Sequence, residues 1–272
     1  MTQPASTPTG HERRYTIALC KGAALLDETR TLLNHWIPGE EIDQFVDRIQ
    51  HENALAKATA YRTNDIVRRV FARRFLAPTD SPARRLRQIA QRGLSRKLFA
   101  EVLFLYAARA DALLYDFTTK VYWPACRRGR ATLSTAEVLD FLAEASGDGR
   151  IPQAWSSAVQ RKIARGVLST LADVGFLREQ GGRREIAPYY ASDEGIAYLA
   201  YELREKGLSD LAVSEHQDWQ LFGLAGSRLL ARLDSLSDVC GLLAQRAGSV
   251  VRITWPKSAT GHRTHGIDTT GS

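Results

Sequence analysis

The chain has 272 residues, of which 44% are apolar and 25% are charged, and its formal net charge is +7. This is an ordinary soluble composition, and the length suffices for one large or two modest hydrophobic cores. The most apolar segment, residues 98–123, is interrupted by five charged residues, so it lacks the uncharged run of roughly 18 residues that a membrane-spanning helix needs. The first dozen residues also lack the basic start and apolar centre of a secretory signal. We therefore expect a cytoplasmic protein without a membrane partner.

The two ends differ in composition from the rest of the chain. Residues 1–12 and 256–272 are polar and carry almost no large aliphatic side chains, which predicts two disordered tails. Helical patterns dominate between them. We expect a domain boundary near residue 130, with a helical bundle that carries a basic face over residues 13–130. Residues 131–255 are then a winged-helix-like segment followed by C-terminal helices.

Hydrophobic periodicity predicts the helices of the bundle. Tyr15–Trp36 is typical of one or two short helices, and Thr63–Leu76 is an amphipathic helix that ends before Pro78. Ala83–Arg92 repeats the amphipathic pattern. Ser95–Trp123 is apolar on most sides, so we expect one long helix at the centre of the bundle.

Two capping boxes mark helix starts in the second part of the chain. Ser134 and Glu137 form the first, and Ser157 and Gln160 form the second. The helix that begins at Ser157 is expected to end at Gly175, since glycine readily adopts the left-handed conformation that closes a helix.

A hairpin is predicted next, because short polar-apolar runs flank Gly181 and Gly182, which accept the positive φ angles of a tight turn. Helix, turn, helix and hairpin in this order are typical of a winged helix. Further on, we expect helices over 192–207 and 227–246 and a short strand over 249–255.

Positive charge is concentrated between Tyr61 and Lys97. This segment holds eleven basic residues and two acidic ones, a net charge of +9, so the rest of the chain sums to −2. Such an asymmetry favours a polyanionic partner, of which nucleic acid is the commonest, although two solvated helix faces would give the same count. Arg74 lies on the apolar arc, where we expect it to snorkel or to pair with a buried carboxylate. The predicted DNA contacts are Arg62, Arg68, Arg69, Arg73, Arg84, Arg85, Arg92, Arg96 and Lys97.

A second basic site has a more definite geometry. In the helix that begins at Ser157, one arc is apolar, and Arg161, Lys162 and Arg165 lie on the opposite arc. This is the layout of a DNA recognition helix, whose N-terminal half meets base edges. Arg183 and Arg184 follow the hairpin turn, where a wing would reach a phosphate or the minor groove. A protein-docking module remains the alternative for this segment.

No motif for catalysis is present in the sequence. The chain has no phosphate-binding loop, no dinucleotide fingerprint, no His-Glu-x-x-His pattern and no nucleophile elbow, and its three cysteines are more than 100 residues apart. We therefore expect no enzyme activity, catalytic residue, cofactor, metal or small-molecule substrate.

The order of several short motifs resembles a known family. The motifs are Tyr15-Thr-Ile-Ala-Leu, the arginine-studded helix from Ile66 to Phe75, Leu113-Leu-Tyr-Asp-Phe117, Trp155 followed by Arg161-Lys162, Gly175-Phe-Leu177 and Trp219-Gln-Leu-Phe-Gly-Leu224. Together they resemble the BrxA family of bacteriophage exclusion (BREX) phage-defence systems. The resemblance implies a mainly helical protein with a bundle similar to the antitermination factor NusB, DNA binding without known catalysis, and a role beside other BREX proteins.

Three functions follow from these observations. The first is a non-enzymatic BREX component that binds double-stranded DNA through arginine-rich helical faces. The second is an RNA-binding, NusB-like factor, and the third is an adaptor that docks other proteins of the defence complex. RNA recognition usually employs exposed aromatic side chains. The aromatic residues here fall mostly on apolar arcs, which favours DNA.

Overall fold

The structure is a computed structural model that describes residues 14–20, 26–57, 59–248 and 250–255. Both predicted tails, 1–12 and 256–272, lie outside the described residues. The described chain is mainly helical with two small antiparallel hairpins, and the predicted mainly helical class is confirmed.

The chain divides into two compact units. The first contains the described residues of 1–24 and 107–187, and the second contains those of 25–106 and 188–272. Because the contacts divide the chain at these points, residue 130 lies inside the first unit and the predicted boundary there does not coincide with a division between units.

The helices of the first half follow one another with short connections. After a 3-10 turn at Ala18–Cys20 they are α1 (Leu26–His35), α2 (Ile42–His51), α3 (Ala60–Asn64) with its π-helical continuation (Asp65–Leu76), α4 (Ser81–Gln91), α5 (Arg96–Ala110), α6 (Ala112–Phe117) with its π-helical continuation (Thr118–Tyr122), and α7 (Trp123–Arg127).

Both hairpins lie in the second half. The elements are α8 (Thr135–Gly147), α9 (Ser157–Val174), β1 (Leu177–Gln180), β2 (Arg183–Ile186), α10 (Asp193–Glu205), α11 (Asp210–Ser214), a 3-10 segment (Gln217–Phe222), α12 (Gly226–Asp234), α13 (Ser237–Cys240), β3 (Leu243–Ala247) and β4 (Val250–Thr254). β1 pairs with β2 and β3 pairs with β4, each antiparallel.

The predicted long helix is interrupted at Asp111. This residue has an extended backbone, with φ −132° and ψ 100°, and its carboxylate accepts hydrogen bonds from the amides of Leu113 and Leu114. Asp111 is therefore the N-cap of α6, and the prediction of one continuous helix from Ser95 to Trp123 was wrong. The apolar pattern hid the break, because both helices are buried on most sides.

The start of α9 is displaced by one residue from the prediction. Ser156 is the N-cap, and its hydroxyl accepts from the amide of Val159, whereas Ser157 is the first helical residue. The Gln160 side chain donates to the Trp155 carbonyl at 2.9 Å instead of closing a capping box. The predicted box at Ser134 and Glu137 is confirmed.

The C-terminal prediction was partly wrong. Residues 243–246, predicted as the end of a helix, belong to β3, because their backbone groups pair with β4. Ala244, Val251 and Ile253 of this hairpin are buried, and Val251 and Ile253 alternate with exposed neighbours, which is the period of a strand. The predicted strand over 249–255 is observed as β4.

The core of the first unit is built on one side of α9. Ile163, Val167 and Leu171 are all fully buried there. Tyr122 stacks on Phe176 with ring centroids 5.0 Å apart, and its hydroxyl donates to the Phe176 carbonyl. These apolar contacts determine the rotation of α9 about its axis, so they also determine which of its residues face solvent.

The N-terminal segment lies against the same helix. A Cβ atom added to Gly166 would be 2.9 Å from the Leu19 carbonyl oxygen, a contact that only glycine permits without movement of the backbone. The segment is also held by Tyr15, whose hydroxyl donates to Asp116 at 2.7 Å and whose amide donates to the Arg150 carbonyl. Burial and the Asp116 carboxylate raise the pKa of Tyr15 above its ordinary value, so this hydroxyl stays protonated.

A buried carboxylate organises part of the second unit. Glu101 of α5 is 1% exposed, and it accepts hydrogen bonds from the Tyr189 hydroxyl at 2.6 Å and from the amide and hydroxyl of Ser192. Ser192 in turn caps α10 through the amide of Gly195. The hydrogen bonds offset the cost of burying the charge.

The position of the α9 cap gives a test of this part of the fold. We expect Ser156→Ala to lower the free energy of unfolding by about 1 kcal/mol, because the Val159 amide loses its partner. Ser157→Ala should change it by less than about 0.5 kcal/mol. Urea denaturation followed by circular dichroism measures both, and a larger loss for Ser157→Ala would contradict the observed cap.

Candidate nucleic-acid interface

The predicted cations of the Tyr61–Lys97 segment lie in the second unit, and many of them are ion-paired. Arg69 pairs with Asp65 at 3.1 Å and Arg84 with Asp80 at 2.7 Å, both one helical turn apart. Arg68 has two partners, because it pairs with an aspartate of α2 and donates to the amide oxygen of Asn64 at 2.7 Å. The hydrogen bond from Arg84 to Asp80 raises the pKa of Arg84 above its ordinary value.

Arg85, one of the predicted DNA contacts, is partly enclosed within the second unit. Its side chain is 19% exposed, and it pairs with Glu205 at 2.7 Å, 120 residues away in the sequence. Burial opposes its charge, but the adjacent Tyr198, Tyr106 and Glu205 outweigh that effect and raise the pKa of Arg85 above its ordinary value. The positive charge of this guanidinium is therefore already balanced by a carboxylate of the same unit.

The two last cations of the segment have different surroundings. The Arg96 side chain is 79% exposed, with Asp27 at 3.9 Å. Lys97 donates to the Tyr190 carbonyl at 2.6 Å and lies 5.3 Å from the centre of the Tyr189 ring. Tyr190 itself is 80% exposed, and no periodic pattern in the sequence marks this exposure.

The remaining residues of the segment differ in exposure. Arg73 and Arg92 are exposed, whereas Arg62 is half-buried. Arg74 is 6% exposed, in agreement with its predicted place on the apolar arc. The segment as a whole is therefore less positive at its surface than its sequence indicates, because carboxylates from outside it neutralise part of its charge.

The first unit presents its cations differently. Arg161, Lys162 and Arg165 are exposed on the side of α9 opposite the buried arc. In the hairpin, Arg183 is exposed and Arg184 is half-buried, on the strand that follows the Gly-Gly turn. The turn has the predicted geometry, with φ of 56° and 76° at its two glycines.

These five cations lack acidic partners. Within the described ranges of the chain, no ion pair joins any of the five to an aspartate or a glutamate. The charge of α9 and the hairpin is thus available to an external anion, in contrast to that of Arg68, Arg84 and Arg85.

A cleft lies beside α9 and the hairpin. Its volume is about 480 Å³, and the residues that line it include Thr132, Thr135, Arg165, Glu179, Arg183 and Arg184. Glu179 is directly opposite Arg184 in the strand register. Each residue is two positions from the Gly-Gly turn, so the sequence alone could have predicted that they are paired. Residues 131–133 border β2 through two backbone hydrogen bonds, from the Leu133 amide and from the Ile186 amide.

Metal sites and membrane spans were sought over all the described residues. Among the residues that the structure describes, no group of three or more histidine, cysteine, aspartate or glutamate side chains could hold a metal ion. No described helix combines the length and apolarity that crossing a membrane requires.

The fold and site define a mainly helical protein whose α9 and β1–β2 hairpin carry five cations that form no ion pair within the described residues. The BrxA family profile matches residues 13–202, well over half of the sequence, and the chain belongs to the BrxA family. Membership links it to BREX phage defence. No curated protein matches the chain.

A solved structure has a similar fold. It is the crystal structure of an uncharacterized protein from Magnetospirillum magneticum, with a TM-score of 0.59 and 22% sequence identity. The similarity covers 77% of this chain and 98% of that chain. At this identity, the similarity concerns the fold alone.

The two kinds of arginine in the second unit should respond differently to substitution. Arg85→Gln should lower the free energy of unfolding by about 1–3 kcal/mol, because Glu205 loses a charged hydrogen-bond partner in a half-buried site. Arg73→Gln, which removes the same charge from an exposed position, should change it by less than about 0.5 kcal/mol. Equal small effects in urea denaturation would mean that Arg85 is solvated and available to a ligand.

Proposed function

We propose that the protein is a non-enzymatic component of a BREX phage-defence system that binds double-stranded DNA through α9 and the β1–β2 hairpin. The observation that carries this proposal is the set of five cations on these elements, which form no ion pair with an acidic residue in the part of the chain that the structure describes. Phosphate contacts by arginine and lysine supply most of the affinity of proteins for DNA, and they need cations that are not already paired.

The order of elements supports the same reading. From α6 and α7 the chain passes through residues 131–133, which border β2, and then through α8, α9 and the hairpin. Helix, short strand, helix, helix and hairpin is the order of a winged helix, in which the last helix enters the major groove. The groove is about 12 Å wide and admits one helix. In this arrangement Arg161 and Lys162, near the start of α9, would approach base edges.

The partners and location follow from this proposal. Duplex DNA in a bacterial cell lies in the cytoplasm, so we place the protein there, where it would also meet other BREX proteins. No small-molecule substrate or cofactor is part of the proposal.

The test compares two charge-matched double variants. Arg161→Gln with Lys162→Gln should weaken binding to duplex DNA and lower the slope of log affinity against log salt by about 0.9 for each phosphate that the variant no longer neutralises. If either residue contacts a base edge, the variant should also discriminate less between DNA sequences. The loss in binding free energy difference should be about 1–3 kcal/mol for each base pair contacted. Fluorescence anisotropy with labelled duplexes of different sequence, over a salt series, measures the affinity, its salt dependence and the sequence preference.

The control is Arg69→Gln with Arg73→Gln in the second unit, which removes the same charge. We expect it to change affinity less than about threefold, because Arg69 is already paired with Asp65 and Arg73 lies outside the proposed interface. Wild-type binding that does not change with salt would contradict the proposal. If the α9 variant binds every duplex like wild type but loses a BREX partner, the first unit is a docking adaptor.

Exposed aromatic side chains favour a second candidate function, RNA binding by the second unit. Tyr61 is 64% exposed and Tyr190 is 80% exposed, and the backbone of Tyr190 is held by Lys97. Exposed aromatic rings beside cations suit unpaired bases, which stack on them. Competition of unlabelled single-stranded RNA against the labelled duplex, with wild type and Tyr190→Ala, separates this function from duplex binding.

A further inference from the structure

The cleft beside α9 divides the exposed cations of the first unit into two sets. Arg165, Arg183 and Arg184 line the cleft, together with a single acidic residue, Glu179. Arg161 and Lys162 lie one turn earlier on α9 and are not part of the lining. The sequence pattern had placed Arg165 with Arg161 as a base-reading residue.

The chemistry of the lining matches a phosphate group. A guanidinium presents its N–H donors in a planar fork that fits two oxygen atoms of a phosphate. Arg165 and Arg184, with Arg183 beside the turn, outnumber the single carboxylate of Glu179, and none of these four side chains forms an ion pair within the described residues. Thr132 and Thr135 also line the cleft, and their side chains carry hydroxyl groups that can donate hydrogen bonds.

We propose that this cleft holds one backbone phosphate of the bound DNA through Arg165 and Arg184. The inference rests on the proposed duplex binding and adds to it a division of roles. The cleft contributes affinity that is the same for every DNA sequence. Arg161 and Lys162 contribute any preference of the protein for particular DNA sequences. Arg165 is then a phosphate contact and not a base contact.

The strand register provides a matched control. Glu179 and Arg184 are paired across the hairpin, and both line the cleft. Arg178 is the neighbouring residue on β1, so its side chain projects from the opposite face of the hairpin, and it is exposed. Arg184→Gln and Arg178→Gln therefore remove the same charge from the two faces of one hairpin.

Affinity for a 20-base-pair duplex tests the inference first. Arg184→Gln and Arg165→Gln should each weaken binding by about tenfold and equally for all sequences, whereas Arg178→Gln should change it less than about threefold. Glu179→Gln should strengthen binding severalfold, since it removes the carboxylate that faces the phosphate. Circular dichroism checks that each variant is folded, and the expected gain for Glu179→Gln cannot arise from misfolding.

A second measurement locates the phosphate itself. Duplexes that each carry one uncharged methylphosphonate should include a position at which neutralisation weakens wild-type binding but has no further effect on Arg184→Gln. Equal effects of Arg184→Gln and Arg178→Gln, with no such position, would overturn the inference while leaving duplex binding intact. Absence of salt-dependent duplex binding by wild type would instead refute the proposed function on which the inference depends.

Discussion

Burial of one side of α9 is the constraint on which the proposed interface depends. Ile163, Val167 and Leu171 have no exposed surface, and Leu19 lies so close to Gly166 that a side chain at this position would collide with its carbonyl oxygen. A fully buried aliphatic side chain contributes about 1.5–3 kcal/mol through the hydrophobic effect, so turning these residues outward would cost several kcal/mol. The opposite side, with Arg161 and Arg165, must therefore face solvent.

Long-range ion pairs explain why the densest run of positive charge in the sequence is not the most available one. Arg85 pairs with Glu205, which is 120 residues away in the sequence, and Arg68 pairs with Asp43 of α2. A count of charges along the segment includes neither partner, because both are brought close only by the fold. α9 and the hairpin carry fewer cations, but those cations keep their charge available.

Local signals in the sequence predicted the elements that local chemistry determines. The capping box of Ser134 and Glu137, the Gly-Gly turn and the amphipathic pattern of α9 each depend on residues within a few positions of one another. The break at Asp111 was hidden because its neighbours are apolar on both sides, and β3 was mistaken for helix because its pairing with β4 decides its conformation. The cleft and the exposed Tyr190 arise from tertiary packing, so no short pattern marks them.

Protection of arginine side chains from chemical modification, measured by mass spectrometry, shows directly whether DNA binds to α9 and the β1–β2 hairpin. Phenylglyoxal modifies exposed guanidinium groups, and the extent of modification can be compared with and without duplex DNA at low salt. We expect DNA to protect Arg161, Arg165 and Arg183, while the exposed Arg73 of the second unit is modified to the same extent in both samples. Protection of Arg73 with no change at the three arginines of α9 and the hairpin would contradict the proposed interface.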